Sequence, residues 1–224
     1  MHRRVAGWAW SEISLIPSLL IYSIQLHYYV CMKKAIGYLE VIAGPMYCGK
    51  TEELIRQVKR AKIGKSRVQV FKHKNDIRYG EGKKLYSHTG MSFECEIIDK
   101  TKEILDKTKK NTKIIAIDEA QWLGEELVSV VQSLLNEGKH IIVTGLAMTY
   151  DRQPFIPIPE LMAMADKVTK LSSVCMICGD DAVYHKRISK EINVNPLIND
   201  PSLVKSLKDS VYEARCRKCF HKKP

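Results

Sequence analysis

The fold is decided by one stretch of sequence, Gly44-Pro45-Met46-Tyr47-Cys48-Gly49-Lys50-Thr51. Its spacing, Gly-x-x-x-x-Gly-Lys-Thr, is that of a Walker A phosphate loop. The apolar run at residues 38–43 predicts a short buried strand, and residues 52–58 predict a helix with apolar positions at 54, 55 and 58. Strand, glycine loop and helix in this order favour a phosphate loop over a glycine turn that merely precedes a lysine.

This loop carries the chemistry of nucleotide binding, and we assign residues 44–51 to ATP and Mg²⁺. Gly44 and Gly49 let the backbone turn tightly, so that its N–H groups approach phosphate oxygens. The helix that begins at the loop adds a partial positive charge. Lys50 is expected to contact the β- and γ-phosphates, and the Thr51 hydroxyl is placed to bind Mg²⁺.

Two acidic residues follow a second apolar run. Residues 113–117 predict a buried strand, and Asp118 and Glu119 stand at its carboxyl end. A carboxylate in this position, facing a phosphate loop, is the Walker B arrangement. Asp118 is then expected to act on Mg²⁺ through its water shell, while Glu119 can act as a base.

A polar loop supplies a further pair of charged side chains. It covers residues 73–90, after a predicted strand at residues 67–72, and contains Asp76 and Arg78. Two residues apart on an extended backbone, both project to the same side. They could serve Mg²⁺ and a phosphate together, and the alternative is a solvated ion pair.

The remaining pattern alternates strands with helices. Strands are predicted at residues 93–98, 140–144 and 167–171, and helices at residues 100–107, 125–136 and 159–165. This alternation predicts an α/β fold with a mostly parallel sheet, whose ligands bind at the carboxyl ends of the strands. The aromatic, proline-rich stretch at residues 145–159 leaves such an end and could close over the site.

Four of the seven cysteines form two Cys-x-x-Cys pairs, Cys175 with Cys178 and Cys216 with Cys219, separated by 37 residues. Two such pairs fit a tetrahedral Zn²⁺ held by four thiolates, with a chance pairing or two redox motifs as the alternatives. Four protein ligands leave no open position, so the metal is expected to be structural. The pattern predicts a zinc ribbon with a long insertion and with strands at residues 183–185 and 211–212.

Composition sets the limits of the interpretation. A chain of 224 residues is long enough for one α/β domain and a small second one. The formal charge of +11 suits anionic partners, but the basic residues are scattered, which weakens a nucleic-acid interpretation. Paired cysteines beside a nucleotide loop indicate a reducing cytosol. Residues 1–31 are apolar in part and resemble a signal peptide or anchor, yet an artefactual or disordered extension is the favoured interpretation.

Together these motifs resemble those of the type II thymidine kinases, the cytosolic family with a zinc-bound lasso. The match covers about residues 37–222. It comprises the phosphate loop, Asp76-x-Arg78, Asp118-Glu119-x-Gln121, Gly145-Leu146, Thr149-Tyr150-x-Arg152-x-Pro154-Phe155, both cysteine pairs and Tyr212.

The resemblance implies a fold and an activity. The fold would be a RecA-like P-loop domain at residues 32–171 and a small zinc-ribbon and lasso domain at residues 172–224. The activity would be transfer of the γ-phosphate of ATP to the 5′-hydroxyl of thymidine, and of deoxyuridine, in nucleotide salvage for DNA synthesis. Glu119 matches the family's general base, and Gln121 joins the residues that bind ATP and Mg²⁺. The thymine ring would be surrounded by Met46, Trp122, Leu146, Tyr150, Phe155, His185 and Tyr212.

The resemblance also implies partners and a location. Such enzymes are usually cytoplasmic homotetramers, inhibited by the triphosphate product dTTP, and no stable nucleic-acid or membrane partner is expected. Two residues depart from the family's usual ones: Ala147 stands for an aspartate, and His185 for a threonine or serine. If the His185 ring accepts a hydrogen bond from the base, its protonation should weaken thymidine binding as the pH falls from about 8 to 6, since an unperturbed histidine has a pKa of about 6.5.

Two other classes of protein compete with this interpretation. The run Asp118-Glu119-Ala120-Gln121 resembles a helicase-type box, and the charge and zinc ribbon would suit a nucleic-acid-dependent ATPase. Such an enzyme needs a second RecA-like domain, for which the residues after the box leave little room. A non-catalytic zinc-binding module with a decayed nucleotide site is disfavoured by the intact Lys50, Thr51, Asp118 and Glu119.

Overall fold

The computed structural model describes residues 36–76, 83–87, 90–188 and 212–222. The predicted extension at residues 1–31, the side chain of Arg78 and most of the insertion between the cysteine pairs lie outside these residues. What we expect of them stays a prediction. Within the described ranges, no helix is long and apolar enough to cross a membrane.

A parallel sheet forms the centre of the described part of the chain. Its six strands are β1 (Tyr38–Gly44), β2 (Val68–His73), β5 (Glu96–Ile98), β6 (Ile114–Asp118), β7 (His140–Leu146) and β8 (Lys167–Lys170), in the spatial order β5-β2-β6-β7-β1-β8. Each neighbouring pair is parallel. Parallel strands covered on both faces need nearly continuous apolar runs, and β1, β6 and β7 are buried along almost their whole length. The predicted α/β fold with a mostly parallel sheet is confirmed.

Helices pack on both faces of this sheet. On one face, α1 (Lys50–Ile63) buries an apolar stripe against a cluster that includes Val70 of β2 and Ala116 of β6. On the other face, α2 (Glu103–Lys107), α3 (Glu126–Asn136) and α4 (Ile158–Met164) pack on a cluster that includes Phe71 and Ile117. Side chains alternate across a strand, so neighbours along β2 and β6 face opposite layers.

One predicted strand is wrong in its extent. Residues 93–98 form not one strand but two, β4 (Ser92–Glu94) and β5, which belong to different sheets. β4 pairs antiparallel with β3 (Lys84–Tyr86), inside the stretch predicted to be loop, whereas β5 pairs parallel with β2. The buried thiol of Cys95 and the buried Leu85 pack in the α1-side cluster, which stabilises this short antiparallel pair. The apolar pattern of residues 93–98 alone does not indicate this packing.

The cysteine-bearing part consists of short antiparallel pairs. β9 (Ser173–Val174) pairs with β10 (Asp181–Ala182), and β11 (Tyr184–Arg187) pairs with β12 (Tyr212–Arg215). The predicted strands near residues 184 and 212 are present as β11 and β12. This pairing brings both cysteine pairs to one end of the two hairpins.

Candidate active site

The phosphate loop connects β1 to α1 and needs both of its glycines. Gly49 has φ 82°, a left-handed conformation that suits glycine. A methyl group on Gly44 would lie 2.6 Å from the Cys48 sulfur and 2.7 Å from the Leu171 carbonyl oxygen, so the backbone passes too close there for a side chain. The loop therefore turns sharply and presents the first N–H groups of α1, the arrangement that binds phosphate.

The charge at this loop comes from Lys50. The residue is only 7% exposed, and its Nζ donates to the Pro45 carbonyl oxygen at 2.7 Å. The same nitrogen lies 3.7 Å from the Cys48 sulfur. The ammonium group thus lies across the loop rather than out in solvent.

Asp118 faces the loop from the end of β6, two strands away from β1. Its carboxylate has no exposure to solvent. One oxygen accepts a hydrogen bond from Thr51 Oγ1 at 3.1 Å, and the other accepts one from the hydroxyl of Thr144 on β7, the strand that lies between. The predicted Walker B geometry, a carboxylate at a strand end facing the loop threonine, is present. Sequence reasoning missed Thr144, although its position just before Gly145 at a predicted strand end could have suggested it.

Glu119 follows Asp118 on a left-handed backbone. Its φ of 50° is unusual for a residue with a side chain, and it is 6% exposed. Its carboxylate accepts a hydrogen bond from Gln121 Nε2 at 2.5 Å, while Gln121 Oε1 accepts one from the Leu146 N–H at 3.1 Å. Gln121, expected among the ATP ligands, thus connects the expected base to the end of β7.

An aromatic group stands near these charges. The ring of Tyr212 lies 5.8 Å from the ring of His185 and 6.2 Å from that of Tyr150, measured between centroids. His185 is 4% exposed. Burial lowers the pKa of His185, the Lys50 ammonium adds to this shift and the Glu119 carboxylate opposes it, so both charges lie within electrostatic reach of the ring.

The other expected nucleoside-binding residues lie on separate segments. Leu146 is buried at the carboxyl end of β7. Half-buried positions are held by Met46 in the phosphate loop, Trp122 in a 3₁₀ turn and Phe155 in the loop after β7. Their approach to a base stays a prediction.

The loop after β7 also contacts the cysteine-bearing part, which sequence reasoning missed. The Arg152 guanidinium lies 4.7 Å from the centroid of the Phe220 ring, and that of Arg187 lies 5.7 Å from the Tyr150 ring. Both distances suit cation–π contacts. The loop is further closed by a hydrogen bond from the Thr149 N–H to the Gln153 carbonyl oxygen at 2.8 Å.

The four predicted metal ligands come together. The sulfur atoms of Cys175, Cys178, Cys216 and Cys219 all lie within 4.8 Å of one another. No disulfide joins any of these four described residues. Four thiolates at about 2.3 Å from a common centre have sulfur–sulfur separations of just under 4 Å, so this cluster could hold a structural metal such as zinc.

Fold and site define this chain as a P-loop protein of the α/β class with a four-cysteine cluster. Its residues 37–220 match the family model described as thymidine kinase, and the chain belongs to the thymidine kinase family. Among solved structures, domain III of the replication initiation protein DnaA from Thermotoga maritima is similar over 70% of this chain, at 15% identity and a TM-score of 0.39. The match spans 65% of that structure's chain, less than two thirds of it.

The environment of His185 bears on one expectation. Burial, together with the Lys50 ammonium, lowers the pKa of His185 to about 4, although the Glu119 carboxylate opposes the shift. The ring is therefore neutral from pH 8 down to pH 6. A ring that is neutral over that range disfavours a loss of thymidine affinity through protonation of His185, and the hydrogen bond from the base to this ring stays a prediction.

The same shift predicts an acid-dependent loss of stability. The unfolded chain protonates His185 near pH 6.5 and the folded chain only near pH 4, so the unfolded state binds more protons between these values and stability falls as the pH falls. Between pH 7.5 and 5.5 this residue should contribute about 1 kcal/mol of that loss. The measurement is urea unfolding of the wild type and of His185→Gln at both pH values.

The variant should lose less stability on acidification than the wild type. Burial also lowers the pKa values of His73 and His140, but these residues are present in both proteins and cancel in the comparison. Identical losses in the two proteins would contradict the assignment of a neutral, buried His185.

Proposed function

We propose that this chain is a thymidine kinase that transfers the γ-phosphate of ATP to the 5′-hydroxyl of thymidine, and also accepts deoxyuridine. The observation that supports this best is the hydrogen bond from Thr51 of the phosphate loop to the buried Asp118 carboxylate, with Glu119, the next residue, held by Gln121. In the proposed site a phosphate-binding cation, an acidic group suited to be a base and an aromatic wall would adjoin one space. Membership of the thymidine kinase family supports the same substrates.

The phosphate end of the site would bind ATP. The N–H groups of the loop and the Lys50 ammonium, which lies across the loop against the Pro45 carbonyl oxygen, would neutralise the β- and γ-phosphates. Thr51 and Asp118, already in contact, would hold Mg²⁺, which when bound draws charge from the phosphate oxygens. Phosphoryl transfer depends mainly on this positioning and charge neutralisation.

Glu119 would act as the general base. In the proposed step the 5′-oxygen forms a bond to the γ-phosphorus while the bond from that phosphorus to the β-phosphate bridging oxygen breaks, and ADP leaves. The proton of the 5′-hydroxyl passes to the Glu119 carboxylate. The hydrogen bond that Gln121 donates would orient the Glu119 carboxylate, and Glu119 itself would be the proton acceptor.

The aromatic end would hold the base. Tyr150, Tyr212 and the neutral His185 would form an aromatic wall, which suits an uncharged pyrimidine. A neutral imidazole both donates and accepts a hydrogen bond, so His185 could take the place of the family's usual hydroxyl. Purine nucleosides should be excluded by size.

The four-cysteine cluster would hold a structural Zn²⁺. Cys175, Cys216 and Cys219 are buried, and a full set of thiolates leaves no position for a substrate. The Ser173 hydroxyl, just before this cluster, donates to the Tyr47 carbonyl oxygen of the phosphate loop at 3.1 Å. The metal would therefore also fix a segment that contacts the loop.

Our proposals for the location, oligomeric state, inhibitor and partners of the protein rest on family membership alone. We infer a cytoplasmic homotetramer inhibited by dTTP, and no stable nucleic-acid or membrane partner. The division into a P-loop domain at residues 32–171 and a lasso domain at residues 172–224 has the same basis.

The first test is the reaction itself. Purified protein with Mg·ATP should convert thymidine to dTMP with equal release of ADP, and Lys50→Ala should abolish turnover while the protein stays folded. Deoxyuridine should be a substrate and purine nucleosides should not. ATP turnover that requires DNA or RNA but not thymidine would support the nucleic-acid-dependent ATPase instead, and a higher kcat/KM for a purine nucleoside would refute the thymidine assignment.

A second test concerns the base. Glu119→Gln keeps the size and the hydrogen bond to Gln121 but cannot take the proton, so kcat should fall by roughly 10²–10⁴-fold while ATP binding is retained. The matched control is Glu137→Gln at the exposed end of α3, which should leave kcat unchanged. A fall of less than threefold in Glu119→Gln would place the base elsewhere.

A third test concerns the metal. Elemental analysis of protein purified without added metal should find one Zn²⁺ per chain, and Cys175→Ser should reduce that content. Cys95→Ser, which alters a buried thiol outside the cluster, should keep the metal. If Cys175→Ser does not fold, a thiol-reactive mercurial added to the wild type should release one equivalent of zinc. A content near zero would disprove the site.

A further inference from the structure

A second buried lysine lies beside Asp118. Lys72, near the carboxyl end of β2, is only 4% exposed, and it is paired in register with Asp118 on the neighbouring β6. An ammonium group is rarely buried without a compensating partner, because removing it from water is costly. Its position therefore calls for a reason beyond packing.

Strand geometry directs Lys72 toward the phosphate end. Val70 and Ala116, each two residues earlier on β2 and β6, lie in the cluster against α1. Because strand side chains repeat every two residues, Lys72 and Asp118 project to the same α1 side. This is the side from which Thr51, in the first turn of α1, reaches Asp118.

The Lys72 ammonium holds the turn that follows β2. Its Nζ donates to the main-chain carbonyl oxygen of Asp76 at 3.3 Å. The Asp76 N–H donates to the His73 carbonyl oxygen at 3.0 Å, which closes the turn, and Asp76 is 8% exposed. Lys72 thus connects the turn that carries Asp76 to the end of β2, which lies beside Asp118 on β6.

The Cys95 thiol lies close enough to Lys72, Asp76 and Asp118 for their charges to affect its pKa. Burial raises the pKa of Cys95 to about 11; the Lys72 ammonium opposes that rise, and the Asp76 and Asp118 carboxylates add to it. One thiol is thus within electrostatic reach of all three groups. The Lys72 ammonium is thus grouped with two carboxylates that would otherwise repel each other.

We propose that Lys72 is a positioning residue for the nucleotide: its ammonium fixes the Asp76 turn beside Asp118, so that both carboxylates are held where the phosphates and Mg²⁺ of ATP bind. This role rests on the proposed function of the phosphate end. The competing explanation is that Lys72 closes a turn and affects only stability.

The test compares Lys72→Met with a matched control. Lys139 is also buried, at 8% exposed, and its Nζ donates to two carbonyl oxygens, those of Lys110 and Thr112, each at 3.0 Å. It precedes β7 at the opposite end of the sheet from the phosphate loop. Lys139→Met therefore measures what the loss of a buried, carbonyl-bound lysine does to stability alone.

Binding is measured by calorimetry with the magnesium complex of a non-hydrolysable ATP analogue, without nucleoside. Lys72→Met should bind at least tenfold more weakly than the wild type, and Lys139→Met should bind within twofold of it. In turnover, Lys72→Met should raise KM for ATP at least tenfold and change KM for thymidine by less than twofold. This split between the substrates is not expected of general damage to the fold.

Several results would overturn the proposal. One is that Lys72→Met binds the ATP analogue with an affinity within twofold of the wild type. Another is that its KM values for ATP and for thymidine rise together. If Lys72→Met does not fold, Lys72→Gln, which keeps a donor but not the charge, is measured with the same expected loss. If neither variant folds while Lys139→Met does, Lys72 acts in folding and the proposal is wrong. Failure of the proposed function can be told apart from failure of this proposal. If the wild type binds the analogue but does not phosphorylate thymidine, the proposed function is wrong and the binding of the two variants can still be compared.

Discussion

The buried carboxylate of Asp118 is the constraint on which the rest of the site depends. A charge with no exposure to solvent must be compensated by hydrogen bonds or opposite charge. The two hydroxyls that meet it come from different elements, Thr51 from α1 and Thr144 from β7. Satisfying this one group therefore fixes the first turn of α1 and the ends of β6 and β7 relative to one another, which is the geometry that phosphoryl transfer needs before any substrate arrives.

The aromatic end depends on a different set of contacts, which join residues far apart in the sequence. Tyr212 reaches the site from β12, beside a cysteine pair, whereas Tyr150 comes from the loop after β7. Contacts such as that between Arg152 and Phe220 join the same two parts. A metal held by the cysteine cluster would therefore act on the site by anchoring β12, the strand that carries Tyr212.

Much of this arrangement could be predicted because the signals were local. The phosphate loop, the apolar strand before Asp118 and the spacing of the cysteines each lie within a few residues, and each is found where expected. What failed depended on partners distant in the sequence. The separation of β4 from β5 and the role of Thr144 arise from strand pairing and burial. The low pKa of His185, which the sequence did not indicate, arises from its burial near Lys50. No short window of sequence contains that information.

The place of β7 between β1 and β6 has a wider consequence. β7 pairs with both neighbours along its length, so the ends of β1 and β6 lie two strand widths apart, about 10 Å, and the register of β7 sets their offset along the strand direction. A slip of one residue would turn Thr144 to the opposite face and remove one of the hydrogen bonds on the buried carboxylate. A relative with every recognisable motif intact could thus be inactive through one residue gained or lost in β7, a fault that no comparison of motifs would detect.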